Sequence, residues 1–379
     1  MIFRGRLRQG LVITAAAVGA LLIGAPAQAA VVSATPDPLP TFDGTVLATA
    51  YAGDILYVGG EFTKATAGGK TVARSHLAAI NASTGALLSW APAVNGAVRA
   101  IAISGSAVYI GGEFGTVAGS KRDSIARIDA GTGKVHAFSH SMTGSPYSLA
   151  VADGRLYAGG NITAVDGRAY GRLAAFNLSS GALDTTWKPT ADGTVESVVA
   201  RGSRIYIGGK FGVVNGVSGT RKLTALLSSG AVDAGFRPAP EVVAHAIAIG
   251  EFGVYAALGG QGGTVGAYGF DGRIRWTLTM DGDPQAITVL DGIVYIGGHF
   301  DNVCRSTRTG DRGACVDGNV RRVKLAAADE DGGALLAWTA NGNGSSGVHA
   351  MAAGSGRFAA GGAFTQINGV SRARLAQFS

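Results

Sequence analysis

Charge is scarce in this chain, and it is not clustered. Only 15% of the 379 residues are charged, and no stretch is rich in lysine or arginine despite a net charge of +7. Nucleic-acid-binding domains concentrate positive charge on one face or along one helix. We therefore expect no nucleic-acid partner.

The sequence also lacks the 3.6-residue apolar period of amphipathic helices. Hydrophobic residues make up 47% of the chain, which is enough to build a core, and 61 positions are glycine. Short apolar stretches separated by frequent turn dipeptides are typical of an all-β protein with many short strands. These features exclude a disordered chain and a helical solenoid.

Long apolar runs are absent after the first 30 residues, which have the pattern of a signal peptide. Arg4, Arg6 and Arg8 precede an apolar segment at 11–25, and Ala27-Gln28-Ala29 provides small residues for cleavage. We expect residues 1–30 to be removed, so that residues 31–379 are secreted without a membrane span. An uncleaved membrane anchor is the alternative. Loss of the three arginines lowers the net charge from +7 to +4.

Cysteine occurs only twice, at Cys304 and Cys315. In an exported protein, two cysteines at this separation are expected to form a disulfide that closes a loop. A redox or metal-binding pair would need neighbouring ligands that this stretch lacks.

One motif recurs about every fifty residues, and such repetition is the signature of repeat architectures. An apolar strand leads into an aromatic-x-Gly-Gly-x-Phe pattern. The seven copies are LYVGGEF (56–62), VYIGGEF (108–114), LYAGGNI (156–162), IYIGGKF (205–211), VYAALGG (254–260), VYIGGHF (294–300) and FAAGGAF (358–364). Each unit continues with a glycine-containing loop, an arginine-led strand and a last strand bearing an aromatic residue.

Four short strands per unit predict a seven-bladed β-propeller. The last unit stops at Phe378-Ser379, after its third strand, whereas the segment 36–44 aligns with the end of a fourth strand. We therefore expect the N-terminal strand to complete the last blade and close the ring, which leaves no open edge.

These repeats resemble the bacterial delta-60 repeat family, also called the domain-of-unknown-function 5122 propeller. Fungal Rax2-like cortical polarity proteins have a similar Tyr-x-Gly-Gly-x-Phe signature. The resemblance covers the whole chain after residue 30, although the copy at 254–270 has lost its Phe and has a shorter loop. It implies a secreted or surface propeller and carries no established chemistry.

One position differs from repeat to repeat while its flanks remain small and apolar. It precedes the core of the first strand in each unit, and its seven residues are Leu47, Arg99, Tyr147, Glu196, His245, Gln285 and His349. The first strand of a blade is the innermost, so these side chains should form a ring at one mouth of the central channel. A concave cluster of polar groups is the usual place for a ligand, although channel mouths are also simply hydrated.

The composition of this ring supports several kinds of chemistry. We predict that the six polar members bind a ligand. His245 and His349 could share a divalent metal with Glu196, because imidazole and carboxylate suit such ions. Alternatively, one histidine could act as a general base while Arg99 neutralises an acidic group. A second set of polar residues directly follows the Gly-Gly pairs and should form an outer polar rim. Its members are Glu61, Glu113, Asn161, Lys210 and His299.

The sequence thus predicts a secreted, monomeric binding or scaffold propeller rather than an enzyme, with an extracellular glycan or envelope protein as its partner. The alternative is a metal-assisted propeller lyase or hydrolase that uses the same ring, and this alternative is argued from the fold alone. A purely structural envelope component is the third hypothesis. No cofactor is predicted beyond the divalent metal.

Overall fold

The chain is almost entirely β-structure. A computed structural model describes Met1 and residues 31–379, so the predicted signal peptide lies outside the described residues apart from Met1. Its helical content in the described part is the single 3₁₀ turn Asp311–Gly313. No helix in that part is long and apolar enough to cross a membrane.

Seven main antiparallel sheets follow one another along the described chain, and each has three strands except one, which has four. We number them in chain order as sheets 1 to 7. Their strands are Val46–Ala52, Ile55–Gly60 and Leu77–Asn81 (sheet 1); Ala97–Ser104, Ala107–Glu113 and Ile125–Asp129 (sheet 2); Pro146–Ala152, Arg155–Gly160 and Leu173–Asn177 (sheet 3); Val195–Arg201, Arg204–Gly209 and Leu223–Leu227 (sheet 4); Ala244–Ile249, Val254–Leu258, Thr264–Tyr268 and Ile274–Thr279 (sheet 5); Pro284–Leu290, Ile293–Gly298 and Leu325–Asp329 (sheet 6); and Val348–Gly354, Arg357–Gly362 and Leu375–Phe378 (sheet 7).

Short strands beside most sheets form small additional ladders, and most of these strands lie between the second and third strands of a sheet. Glycine-containing turns such as Asp166-Gly167 lie inside them. These ladders consist of Thr41–Phe42 with Lys64–Ala67 and Lys70–Ala73; Thr116–Val117 with Ser120–Lys121; Met142–Thr143 with Ala164–Val165 and Arg168–Ala169; Asn302–Cys304 with Asn319–Arg321; and Gln366–Ile367 with Val370–Ser371. The glycine-containing loops that the sequence predicted are therefore tight hairpins.

The sheets stack face to face, with the core between neighbours. Each first strand contacts the first strand of the next sheet, and Val348–Gly354 contacts Val46–Ala52. Tyr57 of sheet 1 packs edge-on against Trp90 at a centroid distance of 4.9 Å. The Trp90 indole then donates a hydrogen bond to the Asp129 carbonyl oxygen of sheet 2 at 2.9 Å. The repeated aromatic residues therefore join adjacent sheets, as large apolar surfaces do in cores.

The Gly-Gly pair permits this close stacking. A Cβ on Gly59 would lie 2.6 Å from a side-chain carbon of Val98 in the next sheet, and one on Gly60 would lie 2.1 Å from the Thr45 carbonyl oxygen. Any larger residue would therefore displace either the neighbouring sheet or the first strand.

We expected four strands in each unit, and among the seven main sheets only sheet 5 is a regular four-stranded sheet. In sheet 1, the segment after the third strand turns at Asn81, whose side-chain oxygen accepts hydrogen bonds from the amides of Ser83 and Thr84. It then makes the single bridge Ile80–Leu87. The segment forms no longer ladder in the described chain, so sheet 1 has three regular strands rather than four.

The N-terminal segment runs beside the last strand of sheet 7. The amides of Ser33 and Asp37 donate to the carbonyl oxygens of Ser379 and Gln377 at 3.1 and 2.8 Å. The Asp37 carboxylate also accepts hydrogen bonds from the Gln377 amide and the Ser379 hydroxyl, at 2.7 and 3.0 Å.

The predicted disulfide between Cys304 and Cys315 is present. The loop that it closes packs on the shortened connection of sheet 5, where a Cβ on Gly262 would lie 2.8 Å from the Cα of Gly313 and 2.9 Å from the Thr309 methyl carbon. The loop therefore covers the region in which the fifth repeat departs from the others.

Candidate ligand site at the channel mouth

A β-bulge places each of the seven variable residues. In sheet 1, Val46 pairs with Gly60 and Ala48 pairs with Gly59, so Leu47 is the extra residue between them. The same register shift occurs at the ring residue of every other sheet. Because a bulge re-aims the side chain of its extra residue, the position is free to vary while its neighbours maintain the ladder.

These seven side chains converge on one cavity of about 310 Å³. Its lining consists of Leu47, Arg99, Tyr147, Glu196, His245, Gln285 and His349. The structure therefore brings together every residue of the predicted ring, whereas their role in binding stays a prediction. A polar cavity of this kind can hold a small ligand or one end of a larger one.

A second cavity of about 210 Å³ continues from the mouth along the first strands. Besides six of the ring residues and the small residues that follow them, its lining includes the residues two positions after each ring member, which are Thr49, Ile101, Leu149, Val198, Ile247, Ile287 and Met351. The side chains two positions after the ring residues are mostly apolar, whereas those of the ring are mostly polar.

Arg99 is held on both sides. Its Nε donates a hydrogen bond to Glu113 Oε1 at 2.9 Å, within the same sheet. Its guanidinium carbon lies 5.5 Å from the centre of the Tyr147 ring in sheet 3, within the range of a cation–π contact. The positive charge of Arg99 is therefore compensated by its neighbours.

Glu196 is the centre of a second charged group. It accepts hydrogen bonds from His245 Nδ1 at 2.7 Å and from Lys210 Nζ at 3.1 Å. Burial acts to raise the pKa of Glu196, but the hydrogen bonds and positive charge from His245 and Lys210 outweigh it and lower that pKa below 4.5. Glu196 is thus a carboxylate at neutral pH.

A glycine makes room for His245. A Cβ on Gly259 would lie 2.6 Å from His245 Nε2, so a larger residue there would displace the imidazole. In the fifth repeat, Gly259 occupies the position that bears Glu113 or Lys210 in other repeats. The His245 ring therefore uses space that an outer-rim side chain occupies elsewhere.

The remaining ring members have no such partners in the described chain. Gln285 Oε1 is buried without a hydrogen bond, as is Nδ1 of the nearby rim residue His299. Burial lowers the pKa of His349 below 6.5, although the charge of Glu61 acts in the opposite direction and those of Arg99 and His299 add to the lowering. His349 is therefore neutral at pH 7.

The residues of the outer rim lie at a constant sequence separation from the ring residues. Glu61, Glu113, Asn161, Lys210 and His299 each lie 14 residues after the ring residue of their own sheet. Glu113 and Lys210 pair with the ring, whereas Asn161 Oδ1 accepts a hydrogen bond from the Ser145 amide at 2.6 Å and fixes a turn. The spacing of 14 was visible in the sequence and could have indicated these ion pairs.

The predicted metal ligands do not share a single cluster. Glu196 contacts His245 directly, but the charges that act on His349 are Glu61, Arg99 and His299. Within residues 31–379, no three His, Cys, Asp or Glu side chains are placed to hold a metal ion. The metal site stays a prediction to which this geometry adds no support, and we derive no chemistry through it.

Comparison with solved structures identifies the class of protein. The WD40 β-propeller domain of Doa1 has a TM-score of 0.59 and 10% identity, covering 91% of this chain and 96% of that one. The computationally designed Ika8 protein has a TM-score of 0.50 and 15% identity, covering 91% of this chain and 99% of that one. The chain therefore has a β-propeller fold similar to that of WD40 domains. No family model matches it, and neither does any curated protein.

Proposed function

We propose that the chain is a secreted binding propeller whose seven sheets are the blades of a closed ring. Contacts between successive first strands, including those of sheets 7 and 1, support the ring. The hydrogen bonds from Ser33 and Asp37 to sheet 7 support closure by the N-terminal segment. The Arg-rich, apolar N-terminal sequence supports export, and the Cys304–Cys315 disulfide is compatible with an oxidising compartment.

The seven signature copies support membership of the delta-60 repeat type. The motif residues have structural roles that explain their recurrence, because the glycines permit close stacking and the tyrosines pack between sheets. A residue that every repeat needs for packing carries no information about the ligand.

One observation supports the mouth as the binding site. The single position at which the repeats differ most in chemistry is a bulged residue in every sheet, and all seven face one cavity. A ligand held there would be an extracellular glycan or a segment of an envelope protein. Binding rather than catalysis is the function that this arrangement supports best.

The test compares capture by residues 31–379 with capture by the triple variant Arg99→Ala/His245→Ala/His349→Ala, on arrays of glycans and envelope proteins. The matched control removes similar side chains away from the mouth, in Lys134→Ala/His136→Ala/Arg168→Ala. We expect the mouth variant to lose capture while the control retains it, with both proteins folded by circular dichroism. Equal capture by all three proteins would contradict the site.

The Glu196–His245 pair supports a second candidate, an enzyme. A carboxylate bonded to Nδ1 fixes the orientation and tautomer of an imidazole, as in general-base dyads. The metal-assisted lyase or hydrolase form of this hypothesis is tested by metal analysis of chelator-free, untagged protein. A stoichiometric divalent ion that is lost in His245→Ala/His349→Ala would favour the enzyme, and its absence from the wild type would remove the metal-dependent form.

A further inference from the structure

The charges that line the mouth cavity are already compensated by the protein. Arg99 is paired with Glu113, and Glu196 holds both Lys210 and His245. Glu196 is the one carboxylate among the cavity-lining residues. A ligand that pairs with Arg99 or Glu196 would therefore have to break an existing ion pair, and this costs free energy that a neutral ligand does not lose.

The opposite side of the mouth has hydrogen-bonding side chains but no ion pair among its lining residues. Leu47, Gln285 and His349 belong to sheets 1, 6 and 7, which adjoin each other, and we call them the open arc. Gln285 Oε1 is buried without a partner in the described chain. An amide and a neutral imidazole each provide both a donor and an acceptor.

Hydroxyl groups match these two side chains, because each hydroxyl also donates and accepts. The open arc adds an apolar contact at Leu47, and the second layer below it is mostly apolar. The exposed carboxylate of Glu61 lies near His349 and repels anions from this side. The cavity of about 310 Å³ lies at the small end of ordinary ligand sites, which span about 300–1,000 Å³.

We infer that the open arc recognises an uncharged, polyhydroxylated end group, that is, the terminal unit of a neutral saccharide. This inference rests on the proposed function and specifies its ligand class. The hydroxyl groups exchange hydrogen bonds with Gln285 and His349, and the carbon face of the sugar ring packs on Leu47. The Glu61 carboxylate near His349 disfavours acidic polysaccharides as ligands of this arc.

The experiment titrates residues 31–379 with defined hexasaccharides of three charge types. The neutral probes are mannohexaose, maltohexaose and cellohexaose, the anionic probe is hexagalacturonate, and the cationic probe is hexaglucosamine. Gln285→Leu/His349→Leu removes the polar groups of the open arc and retains their apolar volume. His136→Leu/Gln366→Leu makes the same chemical changes away from the mouth and is the matched control.

We expect at least one neutral probe to bind, with its affinity reduced about tenfold or more in Gln285→Leu/His349→Leu and unchanged in the control. Failure of all neutral probes, or binding that the open-arc variant leaves intact, overturns the inference. Mouth-dependent binding of only the anionic or only the cationic probe also overturns it, but leaves the binding propeller standing. The proposed function itself fails only if the triple mouth variant retains capture of every glycan and envelope protein.

Discussion

His245 donates a hydrogen bond from Nδ1 to Glu196 Oε2 at 2.7 Å, across the boundary between sheets 5 and 4. Lys210 binds the other oxygen of the same carboxylate at 3.1 Å. Both acidic oxygens are therefore occupied by neighbours from two sheets. This pairing fixes the charged side of the mouth, opposite the open arc.

Glu196→Gln should destabilise the fold, because it removes the charge that holds Lys210 and His245 while retaining the size of the side chain. We expect the free energy of unfolding to fall by about 1–2 kcal/mol, since hydrogen bonds to a charged group contribute about 1.5–3 kcal/mol. Urea denaturation at pH 7 measures the change.

The matched control is Glu113→Gln, which breaks the other ion pair of the mouth. The side chain of Glu113 is 48% exposed, against 17% for Glu196. Exposed pairs contribute about 1 kcal/mol or less. If the free energy of unfolding falls equally in the two variants, burial does not strengthen the hydrogen bonds of Glu196 to Lys210 and His245.

Acid should weaken the folded state in two separate windows. Burial lowers the pKa of His349 in the fold, so the unfolded chain binds its proton more readily and stability falls as the pH drops below 6.5. The pKa of Glu196 is also lowered, so its contribution is present above pH 4.5 and is lost as the pH falls below that value.

His349→Gln separates these windows. The variant should flatten the dependence of the urea midpoint on pH just below 6.5 and leave the decline below 4.5 unchanged. The charged or titratable groups around His349 are Glu61, Arg99 and His299, and none is altered. An unchanged profile below pH 6.5 would assign that window to another group.

Asp37 and Gln377 should be energetically coupled. Gln377 is buried, donates to the Asp37 carboxylate at 2.7 Å and to the Ala82 carbonyl oxygen at 2.8 Å, and accepts from the Tyr51 hydroxyl at 2.9 Å. A double-mutant cycle with Asp37→Ala and Gln377→Met should give a coupling of about 1 kcal/mol. A control cycle combines Asp37→Ala with Gln366→Met, at an exposed glutamine, and its two effects should be additive. Additive effects in both cycles would contradict docking of the N-terminal segment on sheets 1 and 7.

Removal of the disulfide should destabilise both the loop and its neighbour. For Cys304→Ser/Cys315→Ser we expect the free energy of unfolding to fall by about 3 kcal/mol, which is the contribution of a disulfide that closes a loop of this short length. Because Thr309 and Gly313 pack on Gly262, hydrogen exchange should accelerate at residues 260–263 as well as within the loop. Acceleration confined to the loop would show that it does not support sheet 5.

The β-propeller fold and the position of the ring could be predicted because the repeats act as their own control. The Gly-Gly and aromatic positions recur for packing reasons, so the one variable position was recognisable without any structure. The Cys304–Cys315 pairing also followed from composition and spacing.

The bulges, the ion pairs and the missing fourth strands required the structure. A bulge depends on the register between two strands, such as Val46 with Gly60 and Ala48 with Gly59, and neither strand shows it alone. The bond from His245 to Glu196 joins residues 49 positions apart in different sheets. Four strands per unit were expected, but in sheets 1, 2, 3, 4 and 6 the segment after the third strand makes only a single bridge to it, such as Ile80–Leu87.

Hydrogen exchange with and without a bound ligand tests the central claim, that the mouth is the binding site. The ligand is the tightest binder from the arrays of glycans and envelope proteins. We predict protection of amides at the bulges, in segments 45–50, 97–102, 283–289 and 347–352, and no change in the small hairpins or the loop 304–315. Protection confined to those hairpins or that loop, with the bulge segments unchanged, would contradict the account.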